Sequence, residues 1–278
     1  MCIRDRQNTH SKTLLKFLEN PLLRLAILFI VVSTLYFFGV KVNFLTNPFD
    51  GILFLEDFVV NIGGVTISPV SWIFTTVWIV WILNLLSWSN GVDGQYGGII
   101  GIGLFIIALL ALRFSDLTPQ YMGYARLAII GSGISLGLLG VTWHPSKIMW
   151  GFGAMSAGIV LASLSILVQA KIIASILILL IPFLDAVVIF FRRLFSGKPP
   201  WKGDKQHLHH LLMNKGFSVQ RIAFFYWVVT ALFGGLSLLS VNAPLIQTIL
   251  MIAGVVFFAI IIVSLKLFPK KKELPQIE

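Results

Sequence analysis

The residues best equipped for chemistry lie in one short polar stretch, Asp204-Lys205-Gln206-His207-Leu208-His209-His210. Three of the chain's five histidines fall within four positions there. Arg192, Arg193, Lys198, Lys202, Lys205 and Lys215 surround them in sequence. Imidazole N–H groups and ammonium groups together suit the oxygens of a phosphorylated or otherwise anionic ligand. A solvated basic loop with no ligand is the plainer alternative. Zinc is disfavoured: on a helix His207 and His210 would share a face while His209 points away, no cysteine is near, and Asp204 is the sole neighbouring acid.

Two further polar groups stand out against apolar surroundings. Asn84, Ser87 and Asn90 recur every third residue and run into Gly91-Val92-Asp93-Gly94. The Asn-Gly and Asp-Gly steps break a helix and can turn backbone N–H groups toward a ligand. A polar helix end with a tight turn is the alternative, because Asn, Asp and Gly favour such ends. Asp185 precedes Arg192 by seven residues, about 10 Å along a helix. A carboxylate at that depth is expected to line a polar cavity, or to pair with another helix.

Membrane spans hold these groups in place. The chain is 57% hydrophobic and only 12% charged, too few charged groups to wet the surface of a soluble domain. The fold class is therefore an all-α polytopic integral membrane protein. About eight transmembrane helices are expected, at 22–40, 68–88, 96–112, 124–142, 150–169, 172–191, 221–241 and 245–266. Residues 22–266 form the membrane domain, preceded by a cytoplasmic segment 1–21 and followed by a basic tail 267–278. With that orientation the inner face holds 17 of the 21 basic residues, including the loop 192–220. The net charge of +10 is thus spread over loops and forms no nucleic-acid-binding face. Cys2 alone excludes an intramolecular disulfide. No cleavable signal peptide is evident, and Met1–Arg6 reads as non-native. The outer segment 41–67 carries Asn-Pro, Asp-Gly and Gly-Gly turns, with short strands expected along the interface. The glycines of 97–103 and 131–140 are expected to serve close helix packing.

The loop from Arg192-Arg193 through Gly203-Asp204 and His207-Leu208-His209-His210 to Gly216-Phe217-Ser218 resembles the histidine motif of the polyprenyl-phosphate N-acetylhexosamine-1-phosphate transferases (glycosyltransferase family 4). Asp185 before the double arginine is similar too, as is the run from Asn84 to Gly94. The resemblance covers residues 20 to 240 in order and spacing. It implies transfer of a sugar phosphate from a UDP-N-acetylhexosamine to undecaprenyl phosphate, with release of UMP. It implies Mg2+ as cofactor, a plasma-membrane location with a cytoplasmic active face, and a role in cell-envelope glycan synthesis. A second copy of the chain is a further candidate partner. The substrate-binding residues would be Asn84, Asn90, Asp93, Asp204, His207, His209 and His210, with Asp93 and Asp185 the catalytic candidates. The chain departs from the pattern in several places. An acidic Asp-Asp pair expected before the first span is missing, so the start looks foreshortened. Ser87 stands where the family usually has Asn, and Asn90 where it usually has Asp. Phe152 takes the position of a magnesium-associated Asp, so no metal ligands are assigned. A relative that binds nucleotide-sugar or lipid without turnover is therefore the alternative function. A transporter is a weaker one, because the polar residues gather at one face.

Overall fold

A computed structural model of the chain describes residues 21–47, 51–62, 65–116, 118–168, 172–199 and 206–267. The helices are α1 (Pro21–Phe37), α2 (Pro69–Ser89), α3 (Gln95–Arg113), α4 (Pro119–Gly137), α5 (Leu139–Thr142), α6 (Phe152–Leu167), α7 (Ile172–Ile178), α8 (Leu180–Phe195), α9 (Leu208–Asn214), α10 (Val219–Leu239) and α11 (Pro244–Leu267). Four short strands, β1 (Phe44–Thr46), β2 (Ile52–Phe54), β3 (Val60–Ile62) and β4 (Val65–Ile67), form two antiparallel hairpins between α1 and α2.

Among the described residues, five segments are long and apolar enough to cross a bilayer: α2, α3, α4 with α5, α10 and α11. The helices α1 and α6 are apolar but shorter. The protein is thus an all-α polytopic membrane protein, and each expected span contains an apolar helix. One span differs in shape. Residues 172–191 do not form a straight rod, because α7 and α8 meet at 95°. Pro182 stands in the first turn of α8, where it lacks an N–H and its ring excludes a straight continuation over the carbonyl of Ile178. This bend turns α8 across the bundle and carries Asp185 toward the histidine segment.

The centre of the bundle is α3, the most buried of the spans. Its glycines allow close approach. A Cβ on Gly98 would fall 1.9 Å from the Trp227 indole nitrogen, and one on Gly101 would fall 2.6 Å from the Leu136 side chain. Ser132 of α4 donates to the Gly101 carbonyl at 2.7 Å, and Trp227 of α10 to the Gln95 carbonyl at 3.2 Å. Small residues and interhelical hydrogen bonds hold helices together where lipid removes the hydrophobic drive between them. The second glycine stretch behaves differently. Gly131 meets Leu104, whereas Gly133, Gly137 and Gly140 contact nothing within 4 Å, so packing within the chain explains only part of it.

Candidate functional site

Four segments meet at one end of the bundle: the turn 90–94 between α2 and α3, the loop 143–151 before α6, the middle of α8, and the start of α9. The turn forms because α2 stops at Ser89 and Gly94 takes φ +76° to start α3. Gln95 is fully buried behind it, and its side-chain amide donates to Ser89 at 3.0 Å. Trp143 packs where a Cβ on Gly94 would otherwise sit, so the turn is braced on both sides.

Asp93, half-buried in this turn, accepts three hydrogen bonds. His144 Nδ1 lies 2.9 Å from one carboxylate oxygen, which the Ser146 backbone N–H also reaches at 3.3 Å. The Ser146 hydroxyl donates to the other oxygen at 2.8 Å. Burial pushes the Asp93 carboxyl up, but the His144 and Ser146 bonds outweigh it and hold the group below its ordinary value. Neither His144 nor Ser146 was singled out from the sequence. The available signal was His144-Pro145-Ser146 itself, a histidine in a short loop expected on the same face as the cluster.

Asp185 is buried, and both of its oxygens are engaged. His207 Nδ1 approaches one at 2.8 Å and the Leu208 backbone N–H donates to the other at 2.9 Å. An ionised carboxylate only accepts, so Nδ1 carries the proton and Nε2 is left as the ring's second nitrogen. The carboxylate also caps the first turn of α9. Asp185 therefore pairs with the histidine segment rather than lining an open cavity.

His207 precedes α9, with an extended backbone at ψ 151°. Helical spacing therefore does not govern the cluster. The rings of His207 and His209 lie parallel, 2° apart in orientation with centroids 5.7 Å apart, and His210 packs 4.3 Å from His209. His209 is 2% exposed. Its Nε2 faces Gly91, where a Cβ would come within 2.5 Å, and its Nδ1 is a buried atom with no hydrogen-bond partner. Burial, with lesser repulsion from His210 and His207, pushes its pKa down to about 3. His209 is thus a neutral ring that docks α9 onto the turn carrying Asp93. His210 is less buried than its two neighbours.

Asn84 and Ser87 face another way. They line a groove of about 460 Å³ between α1, α2, α6 and α8, whose walls include Trp81, Trp88 and Phe190 and whose rim carries Arg24. The Asn84 amide donates to the Val80 carbonyl of its own helix at 2.8 Å. Trp88 joins the two regions, since it lines the groove and its ring lies 6.1 Å from that of His207. Asn90 is the C-cap residue of α2, its N–H bonded to the Ser87 carbonyl at 3.3 Å. Asp204 and the side chain of Phe152 lie outside the described residues.

Magnesium is the cofactor that the resemblance implies. Among the described residues, no set of three or more His, Cys, Asp or Glu converges on a point where a metal could bind. Asp93 and Asp185 lie in separate clusters, and N–H or O–H donors already occupy the oxygens of both. The residues described do not fit the ion.

The family model for glycosyl transferase family 4 matches residues 15–169. That is more than half of the chain, and the chain belongs to this family. A probable undecaprenyl-phosphate N-acetylglucosaminyl 1-phosphate transferase of Bacillus subtilis (strain 168) is 28% identical over 248 residues, covering 87% of this chain and 64% of the relative. The decaprenyl-phosphate N-acetylglucosaminephosphotransferase of Mycobacterium leprae (strain TN) is 26% identical, covering 66% of this chain and 52% of the relative. The undecaprenyl-phosphate alpha-N-acetylglucosaminyl 1-phosphate transferase of Escherichia coli (strain K12) is 27% identical, covering 60% and 47%. The chain therefore spans about half to two-thirds of the length of these relatives.

Proposed function

We propose that this chain binds the two substrates of a sugar-1-phosphate transfer, a UDP-N-acetylhexosamine and a polyprenyl phosphate, in cell-envelope glycan synthesis. The single observation that carries this reading is the convergence of the histidine segment and the Asp93 turn beside the end of an apolar groove. The groove between α1, α2 and α8 suits a prenyl chain, and Arg24 on its rim suits the lipid phosphate. The nucleotide-sugar diphosphate would lie across His207 and His210, beyond Trp88. In the transfer, an oxygen of the lipid phosphate attacks the phosphorus bearing the sugar. The bond from that phosphorus to the bridging oxygen breaks, and UMP leaves with the electron pair.

A second reading, binding without turnover, is supported by the same geometry. The carboxylates of Asp93 and Asp185 are both held by hydrogen-bond donors, and Phe152 stands where the resemblance calls for an acid. We favour it for residues 1–278 taken alone. The histidine face would be cytoplasmic, because that orientation puts 17 of 21 basic residues inside.

Isothermal titration of UDP-GlcNAc into the purified protein in nanodiscs tests the common part. Saturable binding that His210→Ala weakens about tenfold or more is expected, the loss of a charge-assisted hydrogen bond. No binding to the unmodified chain would refute the proposal. Release of UMP on adding undecaprenyl phosphate would refute only the reading without turnover.

A further inference from the structure

The end of the bundle opposite the histidines holds non-helical backbone at an unusual depth. Thr75 Oγ1 of α2 accepts the Val42 N–H at 2.9 Å, and the Ser71 hydroxyl donates to the Val42 carbonyl at 2.8 Å. The Ser68 hydroxyl donates to the Leu55 carbonyl at 2.7 Å, and the Leu55 N–H bonds to the Asn43 carbonyl at 2.8 Å. Thr75 lies six residues past Pro69, about 9 Å down the helix from its start. With 21 residues, α2 is about 31 Å long, close to the thickness of the hydrocarbon layer. Val42 therefore sits level with the first two turns of α2, a helix long and apolar enough to cross a bilayer. Irregular backbone survives there only when its polar groups are satisfied by protein. The hydroxyls of Ser68, Ser71 and Thr75 do this.

The hairpins that grow from this pinned base carry the wrong surface for water. Register pairs Phe44 with Phe54, Leu45 with Leu53 and Thr46 with Ile52. A hairpin in water alternates apolar and polar residues. Here Ile52, Leu53 and Phe54 are consecutive and each at least half exposed, so both faces of β2 are apolar. Phe58, Val59 and Val60 follow, with Phe58 70% exposed. The acids Glu56 and Asp57 fall between the two apolar runs.

We propose that residues 52–60 form an interfacial anchor, lying in the boundary between headgroups and hydrocarbon of the leaflet opposite the histidines. The bilayer is the occupant because the base of the hairpins is fixed to the first turns of the membrane-spanning α2, and Phe37, Phe38, Val70 and Ile73 at the same end of α1 and α2 are exposed apolar side chains as well. The anchor fixes the depth of α2, and so the height at which α2 delivers the Asp93 turn at its other end. It rests on the membrane-spanning fold alone and is independent of the substrates proposed above.

Spin labels on single cysteines in a Cys2→Ser background test this, using the full chain in liposomes of phosphatidylglycerol and phosphatidylethanolamine. Labels at Leu53→Cys, Phe54→Cys and Phe58→Cys are expected to relax several-fold more with oxygen than with a water-soluble nickel chelate. The label at Glu56→Cys is expected to show the reverse. Nickel access at Phe54 and Phe58 equal to that at Glu56 would overturn the proposal, since the patch would face water. Shielding of all sites from both reagents would also overturn it, since protein would then cover the patch. Labels at two positions on β2 keep the result readable if one variant misfolds.

Discussion

Replacing Asp185 by Asn tests how the histidine segment is held. The carboxylate accepts from His207 Nδ1 at 2.8 Å and from the Leu208 N–H at 2.9 Å, at 8% exposure. Each hydrogen bond to a charged group contributes about 1.5–3 kcal/mol. The amide is nearly isosteric but offers one acceptor and one donor. If its oxygen keeps the Leu208 N–H, its NH2 group faces His207 Nδ1 and forces the ring into the other tautomer. Both charge-assisted bonds become neutral ones, a net cost of about 2–3 kcal/mol to the docking of α9. The affinity for UDP-GlcNAc should fall about thirty- to a hundred-and-fiftyfold if docking and binding are coupled. Titration calorimetry reads the affinity. Nitrogen-15 NMR of labelled histidine reads the tautomer, which a general loosening of the fold would not invert. An unchanged affinity with His207 still protonated at Nδ1 would refute the reasoning.

Three further outcomes follow from the same geometry. Gly91→Ala places a Cβ 2.5 Å from His209 Nε2, within a ring stack that has little room to yield. Overpacking of that kind costs about 1–3 kcal/mol, read as a lower melting temperature and faster proteolysis after α9. His209 stays neutral in the folded protein down to about pH 3, while its open form takes up a proton near 6.5. Below pH 6.5 the open form therefore binds more protons, and docking of α9 should weaken by up to about 2 kcal/mol at pH 5. Amide protection factors across residues 208–214 measure this, and equal protection at pH 7 and pH 5 would count against it. Phe152→Asp alone should produce no magnesium-dependent UMP release, because Asp93 and Asp185 stay tied to His144, Ser146, His207 and Leu208. A radiolabelled transfer assay checks this, and turnover in that single variant would show that those carboxylates are free to leave their partners.

The class of the protein and the rough order of its elements were legible in composition and apolar run length alone. Apolar runs of span length marked the helices, because a bilayer requires the backbone of each crossing to satisfy itself locally. Asn84, Asp93, Asp185 and the histidines were visible because polar groups are rare in such sequence. The glycines of 97–103 announced close packing around α3 for the same local reason. The partnerships emerged from the folded arrangement. Asp93 meets His144 across 51 positions, and Asp185 meets His207 across 22, separations at which no periodicity carries information. Regular spacing suggested one polar face from Asn84 to Asp93, but the helix ends at Ser89. Asn84 is left in the lipid-side groove while Asp93 turns to the loop at 143–146. His209 looked like one of three equivalent phosphate ligands. His209 is buried against Gly91 and His207 is buried against Asp185, so of the three only His210 is partly exposed, because the extended backbone at His207 breaks the helical spacing of the cluster.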